Sequence, residues 1–160
     1  FQTQHRRDNY MKKDKFQFSP IITDAKDAEF LMDIYEAVGI AICVTDANGR
    51  YVEVNKAYCE LYGYTREELI GKSFTMVLPE NMRELGQQIH DAFIAGAPEM
   101  PAEWKVMRRD GTLLDVYVVP TLMIRKDGTR CKVTAVVDIT EYKKMKELAR
   151  MSSESAAVTK

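Results

Sequence analysis

The sequence predicts an α+β domain, with two strands joined by a tight turn before a block of helices and three strands joined by hairpins after it. Three observations predict it. The run Val44 to Gly71, VTDANGRYVEVNKAYCELYGYTREELIG, reads without a break as strand, tight turn, strand and two short capped helices. Asp110-Gly111 and Asp127-Gly128 each lie between runs of strand length and mark hairpins. Between these two blocks, one longer segment has helical spacing.

Taken in order, residues 1–22 are polar and charged, with His5, Arg6, Arg7, Lys12, Lys13 and Lys15 set among Phe1, Tyr10, Phe16 and Phe18. The expectation is a solvated tail or linker whose aromatics dock on the domain or a partner chain, in preference to a nucleic-acid or membrane arm. Residues 23–37 form an amphipathic helix: Phe30, Leu31, Ile34, Tyr35 and Val38 share a stripe, Thr23 or Asp24 caps it and Gly39 stops it. Its wide stripe suits the outer face of the sheet, a second copy, or both.

Ile40 to Asp46 is a first strand, turned by Asp46-Ala47-Asn48-Gly49 into a second at Tyr51 to Val54. Asn55 sits at a helix N-cap, its side-chain oxygen facing the free amides of the first turn, and Gly63 closes that helix. Thr65 and Glu68 make a capping box for a helix ending at Gly71. Neither helix is long enough to be stable away from the sheet. Ser73 to Leu78 is short and apolar, and Pro79-Glu80 opens the longer helix. Its expected buried stripe is Met82, Leu85, Ile89, Ala92 and Phe93, and Gly96 ends it. Strands at Glu103 to Arg109, Thr112 to Ile124 and Thr129 to Ile139 complete the sheet. Pro120, which lacks an amide donor, should mark an edge, a bulge or an unpaired position. Tyr142 to Met151 reads as a charged helix with two short heptads at most, and 153–160 as a frayed tail.

The whole chain of 160 residues is one ordinary domain with appendages, and its 46% hydrophobic and 29% charged residues are those of a soluble globular protein. No apolar run is long enough for a membrane segment, the polar beginning is no signal peptide, and a cytoplasmic location is expected. A net charge of -1 gives no global field for nucleic acid, so none is expected as a partner. Cys43, Cys59 and Cys131 are odd in number and far apart, which fits reduced small hydrophobes better than disulfides or a zinc site. No metal site is expected. Glu53, Glu60, Asp91, Glu103 and Asp115 supply carboxylates, but nothing sets two on one apolar wall, and there is no Ser-His-Asp arrangement or phosphate loop. No catalytic residue is assigned, and the chain is not expected to be an enzyme.

With these elements in view, residues 38–140 resemble a PAS domain, the sensory fold of bacterial signalling proteins such as sensor histidine kinases or cyclic-di-GMP enzymes. The matching pieces are Val44-Thr45-Asp46 with Asn48-Gly49-Arg50, Val54-Asn55-Lys56-Ala57-Tyr58, Leu61 to Thr65 with Glu68 to Lys72, Arg108 to Thr112, and Asp138-Ile139-Thr140. Each is weak alone, but together they come in the right order and spacing. The resemblance implies a five-stranded antiparallel sheet in order 2-1-5-4-3 with helices on one face around a small cavity. It also implies that Asp138, Ile139 and Thr140 join the sheet to an exit helix at 141–152 that signals to an output domain. A kinase, cyclase or similar output is absent from these residues. The lack of an initial Met suggests a cut from something longer.

The same resemblance lets cofactors be weighed. The adduct-forming cysteine of the flavin (LOV) branch is missing, since Phe74 follows Gly71-Lys72-Ser73, and that branch's polar ring-holding positions correspond roughly to Val106, Val116 and Val136. Haem-binding members commonly use a histidine on the long helix. Here the corresponding position falls near Gly86, and His90, one turn later, is expected at an exposed or edge-of-core place facing Gly86 and Ile94. Haem through His90 stays as an alternative. Strand alternation carried onto the fold turns Cys43, Thr45, Trp104, Val106, Leu114, Val116, Val118, Thr134 and Val136 toward the helices. Tyr58, Phe74, Ile89 and Phe93 complete the expected ligand-binding cavity. Such a lining suits a small, mostly apolar ligand oriented by Thr45, Thr134, Tyr58 and the Trp104 indole. The alternative is a packed core without ligand, in a dimerisation or docking module. In either case the expected partner is a second copy, through the N-terminal helix and the exit helix.

Overall fold

The computed structural model describes residues 39–159 and, in the segment before them, Glu29, Asp33, Glu36 and Ala37. Those four positions are helical. The tail expected at 1–22 and the rest of the helix expected at 23–37 lie outside the described residues.

The chain folds as β1 (Ala41–Thr45), β2 (Tyr51–Val54), α1 (Lys56–Tyr62), α2 (Arg66–Leu69), a 3-10 turn (Phe74–Val77), α3 (Glu80–Ile94), β3 (Ala102–Met107), β4 (Leu113–Ile124), β5 (Arg130–Asp138) and α4 (Thr140–Val158). The strands form one antiparallel sheet in order β2-β1-β5-β4-β3. The first and last strands therefore meet at its centre, where Ala41 pairs with Val136 and Thr45 with Lys132.

Local chemistry explains most of these boundaries. In the first turn, Asp46 Oδ1 accepts from the amides of Asn48 and Arg50, both at 2.9 Å, while Gly49 takes φ 79°, a conformation that only glycine adopts freely. Asn55, wholly buried, does more than cap α1. Its Oδ1 accepts from Tyr58 N at 3.0 Å and from Ile42 N at 2.9 Å, and its Nδ2 donates to Ile40 O at 2.9 Å. One side chain thus ties the start of α1 to β1. Thr65 and Glu68 form the reciprocal capping box of α2. Pro120 lies in the half of β4 beyond the last β3 pair, Ala102 with Val118, so its missing donor faces a strand edge that β3 does not cover.

The core beneath α1 and α2 is filled by Tyr51, Val54, Tyr58, Tyr62 and Leu69, each 2% exposed or less. The Tyr51 and Tyr58 hydroxyls are 2.7 Å apart, and the Tyr58 and Tyr62 rings lie 4.6 Å apart by centroid. Each buried phenol therefore has aromatic contact, and the Tyr51 and Tyr58 hydroxyls satisfy one another.

Two expectations need correction. The buried face of α3 is turned by one residue: Leu85 and Ala92 are exposed, whereas Gly86 and His90 are buried. Gly86 lies directly against Leu78: a Cβ there would overlap Leu78 Cδ1, so a larger residue would need that side chain to shift. His90 is 1% exposed, not at the edge of the core. Second, the segment 153–160, expected as a frayed tail, is helical to Val158. Arg150 pairs with Glu147 at 2.6 Å and also with Glu154, and these exposed i,i+3 and i,i+4 pairs support the extra turns.

Candidate functional site

Between the sheet and the α3 side of the helical layer lies an internal cavity of about 70 Å³. Cys43 and Thr45 of β1, Trp104 and Val106 of β3, Val118 of β4, and Thr134 and Val136 of β5 form its sheet wall. Tyr58, Phe74 and Ile89 close it from the helices. Three expected lining residues are elsewhere. Leu114 and Val116 share the inward face of β4 but sit nearer the Asp110-Gly111 hairpin, in filled core. Phe93 lies under the Lys132 ammonium, 5.1 Å from ring centroid to Nζ. The cavity also takes in Tyr62, Val77, Leu78, Gly86, His90, Glu99 and Lys132, which the sequence reading did not place there.

The added residues change its character. Trp104, Val106, Val118, Ile89 and Phe74 are apolar, whereas Thr45, His90, Lys132, Glu99 and Thr134 contribute polar atoms. Lys132, 7% exposed, is paired with Glu99 of the segment between α3 and β3. His90 Nε2 is 3.1 Å from Thr45 Oγ1, and its ring stacks on Phe74 at 5.2 Å. Its Nδ1 has no hydrogen-bond partner among the described residues. Burial, and then the neighbouring Lys132 charge, hold the imidazole pKa below its ordinary 6.5, so the ring is neutral at pH 7.

On the β1 side of the cavity, burial pushes the Cys43 thiol up to about 12 and raises the Tyr51 and Tyr58 phenols well above 10.0. A thiol so protonated is a poor nucleophile and a poor metal ligand. Among the described residues no group of three or more His, Cys, Asp and Glu could hold a metal ion. The candidate carboxylates lie on the surface in ion pairs: Glu53 with Arg66 at 2.9 Å, and Asp115 with Lys105 at 3.0 Å.

Haem does not fit this site. Pockets for drug-sized ligands run to about 300 Å³ and more, several times this cavity, and the His90 Nε2 that would meet iron already faces Thr45. The same volume excludes a flavin ring from the cavity as it stands.

At the far side of the sheet, β5 runs into α4 with only Ile139 between them. Asp138 Oδ1 accepts from Thr140 N at 2.9 Å. Thr140 Oγ1 accepts from Asp115 N at 3.0 Å, and Ile139 N donates to Asp115 O at 2.9 Å. Lys143, in the first turn of α4, reaches Glu103 at 3.2 Å and Asp115 at 3.4 Å. The exit helix is thus fastened to β3 and β4 as well as continuous with β5.

A sheet whose central strands are the first and last, cupping helices around one small cavity and feeding directly into a helix, defines a class of sensory domain. The chain belongs to the PAS-fold family, which it matches over residues 29–138. It is 33% identical over 129 residues, 78% of its own length and 19% of the relative's, to the C4-dicarboxylate transport sensor protein DctS of Rhodobacter capsulatus. To the sensor protein TdiS of Thauera aromatica it is 27% identical over 127 residues, 78% of this chain and 23% of that one. It thus spans about a quarter or less of these curated relatives. Among solved structures, the PAS domain of a Colwellia psychrerythraea protein aligns with a TM-score of 0.61 at 22% identity, over 71% of this chain and 98% of that one. The chain is a PAS sensory domain homologous to those of bacterial signal-transduction proteins. Among the described residues, no helix is long and apolar enough to cross a membrane.

Proposed function

We propose that this domain senses a small ligand in the cavity and passes the resulting change through Asp138, Ile139 and Thr140 to α4, and from there to an output module such as a kinase or cyclase. The observation that carries this reading is the double attachment of α4. Its start is an extension of β5, whose Thr134 and Val136 line the cavity, and is also hydrogen-bonded to Asp115 of β4. A shift of β5 against β4 therefore has to change the direction or rotation of the helix.

The helix is suited to a second copy. Tyr142, Met145, Leu148 and Met151 are 55–68% exposed, and α4 buries no residue within the described chain. A homodimer through this stripe, with the helix preceding β1 as a second contact, gives those side chains a partner. We read the domain as cytoplasmic, in keeping with its three free cysteines.

The test is a fusion of the chain to a histidine-kinase output, with autophosphorylation measured for Asp138→Ala and Thr140→Val. Both variants should keep the fold and change the basal kinase level or its response. Unchanged output in both would remove the junction from the mechanism. Native mass spectrometry of the purified chain addresses the ligand: a retained small molecule supports sensing, whereas a clean apoprotein mass favours a pure dimerisation module.

A further inference from the structure

The cavity contains one cation and one anion, and they are attached to very different parts of the fold. Lys132 is on β5 at the centre of the sheet, paired with Thr45 across β1. Glu99 is on residues 95–101, which form no helix or strand and whose Ala95, Gly96, Ala97, Pro98, Met100 and Pro101 are all exposed. Glu99 is the exception: its side chain is 12% exposed because it turns in to meet Lys132. A carboxylate on an exposed, irregular segment is thus held on a buried ammonium at the centre of the sheet.

Such a pair is poorly placed to be there for stability alone. Desolvating two charges costs several kcal/mol each, and apolar replacements of a buried pair are often as stable or more so. An ammonium has three donors and no acceptor, and Glu99 together with the Phe93 ring leaves room for further acceptors. Nearby, His90 lines the cavity with its Nε2 on Thr45, while its Nδ1 lies 3.7 Å from the Asp91 carboxylate, beyond hydrogen-bond length. The polar end thus sets a neutral imidazole and a hydroxyl in the same cavity as one cation. The rest of the wall, Trp104, Val106 and Val118, offers nothing to a second charge, which would be buried unpaired.

We infer that the cavity takes a short aliphatic monocarboxylate, whose carboxylate replaces that of Glu99 on Lys132 and releases the 95–101 segment. This rests on the ligand-sensing reading above and specifies it. Size agrees: a water needs about 10–15 Å³ of such space, so 70 Å³ admits about five to seven heavy-atom positions. Glu99 is then a built-in competitor. It keeps Lys132 paired in the empty state and sets a threshold for the ligand. Release of the segment joining α3 to β3 loosens the β3 edge of the sheet, to which Lys143 of α4 is tied through Glu103.

The probe is butyrate, with butyramide as its uncharged analogue, titrated into the whole chain at constant ionic strength by calorimetry and by amide chemical shifts. Butyrate should bind and shift residues 95–101, butyramide should bind at least tenfold more weakly, and Glu99→Gln should tighten butyrate about tenfold by removing the competitor. Lys132→Met should abolish the binding. Should that variant unfold, Lys132→Met with Glu99→Gln removes both charges and must also fail to bind. Equal binding of butyrate and butyramide, or no gain in Glu99→Gln, overturns the inference. A neutral molecule retained by the chain in native mass spectrometry, with no butyrate binding, overturns the anion while sparing the sensing reading. No binding of either probe with a clean apoprotein mass overturns both.

Discussion

The two halves of the helical layer are built to different standards. Under α1 and α2, the buried groups that tie helix to sheet are satisfied: Asn55 makes three hydrogen bonds to backbone, and the Tyr51 and Tyr58 hydroxyls meet each other; at the end of α1, beside Tyr62 and Gly63, Arg108 Nε is the exception. Under α3, polar groups are equally buried but less well served. His90 Nδ1 has no partner among the described residues, Lys132 relies on a carboxylate from an irregular segment, and a cavity remains. Natural cores leave few buried groups unsatisfied. Under the ligand-sensing proposal, the satisfied half is the scaffold and the less satisfied half is where the ligand would act.

Substitutions and pH should separate the halves. The largest effect is expected from Asn55→Ala, which strands the Ile40 carbonyl and the Ile42 amide and leaves the Tyr58 amide only the residue 55 carbonyl; a loss of about 2–4 kcal/mol follows from a cap and buried unsatisfied groups. Urea denaturation measures it, and a loss under 1 kcal/mol would mean that water substitutes freely and the half is not sealed. Next is acid. The folded His90 pKa lies below the unfolded 6.5, so below pH 6.5 the unfolded chain binds the proton first. Stability should fall as pH drops from there to the folded pKa, by about 1.4 kcal/mol per unit at most. His90→Gln should flatten that region only. Below about 4.5 a separate loss is expected from Glu53, whose carboxyl the Arg66 hydrogen bonds hold low despite partial burial, and this loss should survive in His90→Gln.

Smaller again is Tyr58→Phe, which leaves the buried Tyr51 hydroxyl without its partner and should cost about 1–2 kcal/mol. The least loss is expected from Lys132→Met combined with Glu99→Met. Apolar side chains of similar length replace a buried ion pair, and stability should stay within about 1 kcal/mol or rise. Thermal unfolding of this double variant beside Asn55→Ala tests the comparison directly. If the two lose equally, the halves do not differ in kind.

How much of this was legible in the sequence follows the same division. Asn55, the Thr65 and Glu68 box, Gly63 and the Asp-Gly turns state their roles within a few residues, because caps and turns are local chemistry. The strand order came from family resemblance, and the helix register failed at a tertiary contact, Gly86 against Leu78. Lys132 had a readable signal: β5 alternates, so Val136 and Thr134 facing inward place Lys132 inward as well. Against that signal stands the general tendency of a charge on a strand to face water. Glu99 had no local signal at all, since nothing within residues 95–101 says that one side chain turns back under α3. The last turns of α4 were hidden by their serines, weak helix formers, although the Glu147, Arg150 and Glu154 spacing was visible.

The length of α4 has a mechanical consequence. At 1.5 Å per residue, its 19 residues extend roughly 28 Å, and none is buried to brace it. Among the described residues it is fastened in its first turn, at Asp115 and Glu103. A tilt of about 6° at its base would move the tip by roughly 3 Å on that length. Under the proposed signalling, a small shift of β5 would thus reach the tip as a displacement comparable with helix shifts at regulated interfaces.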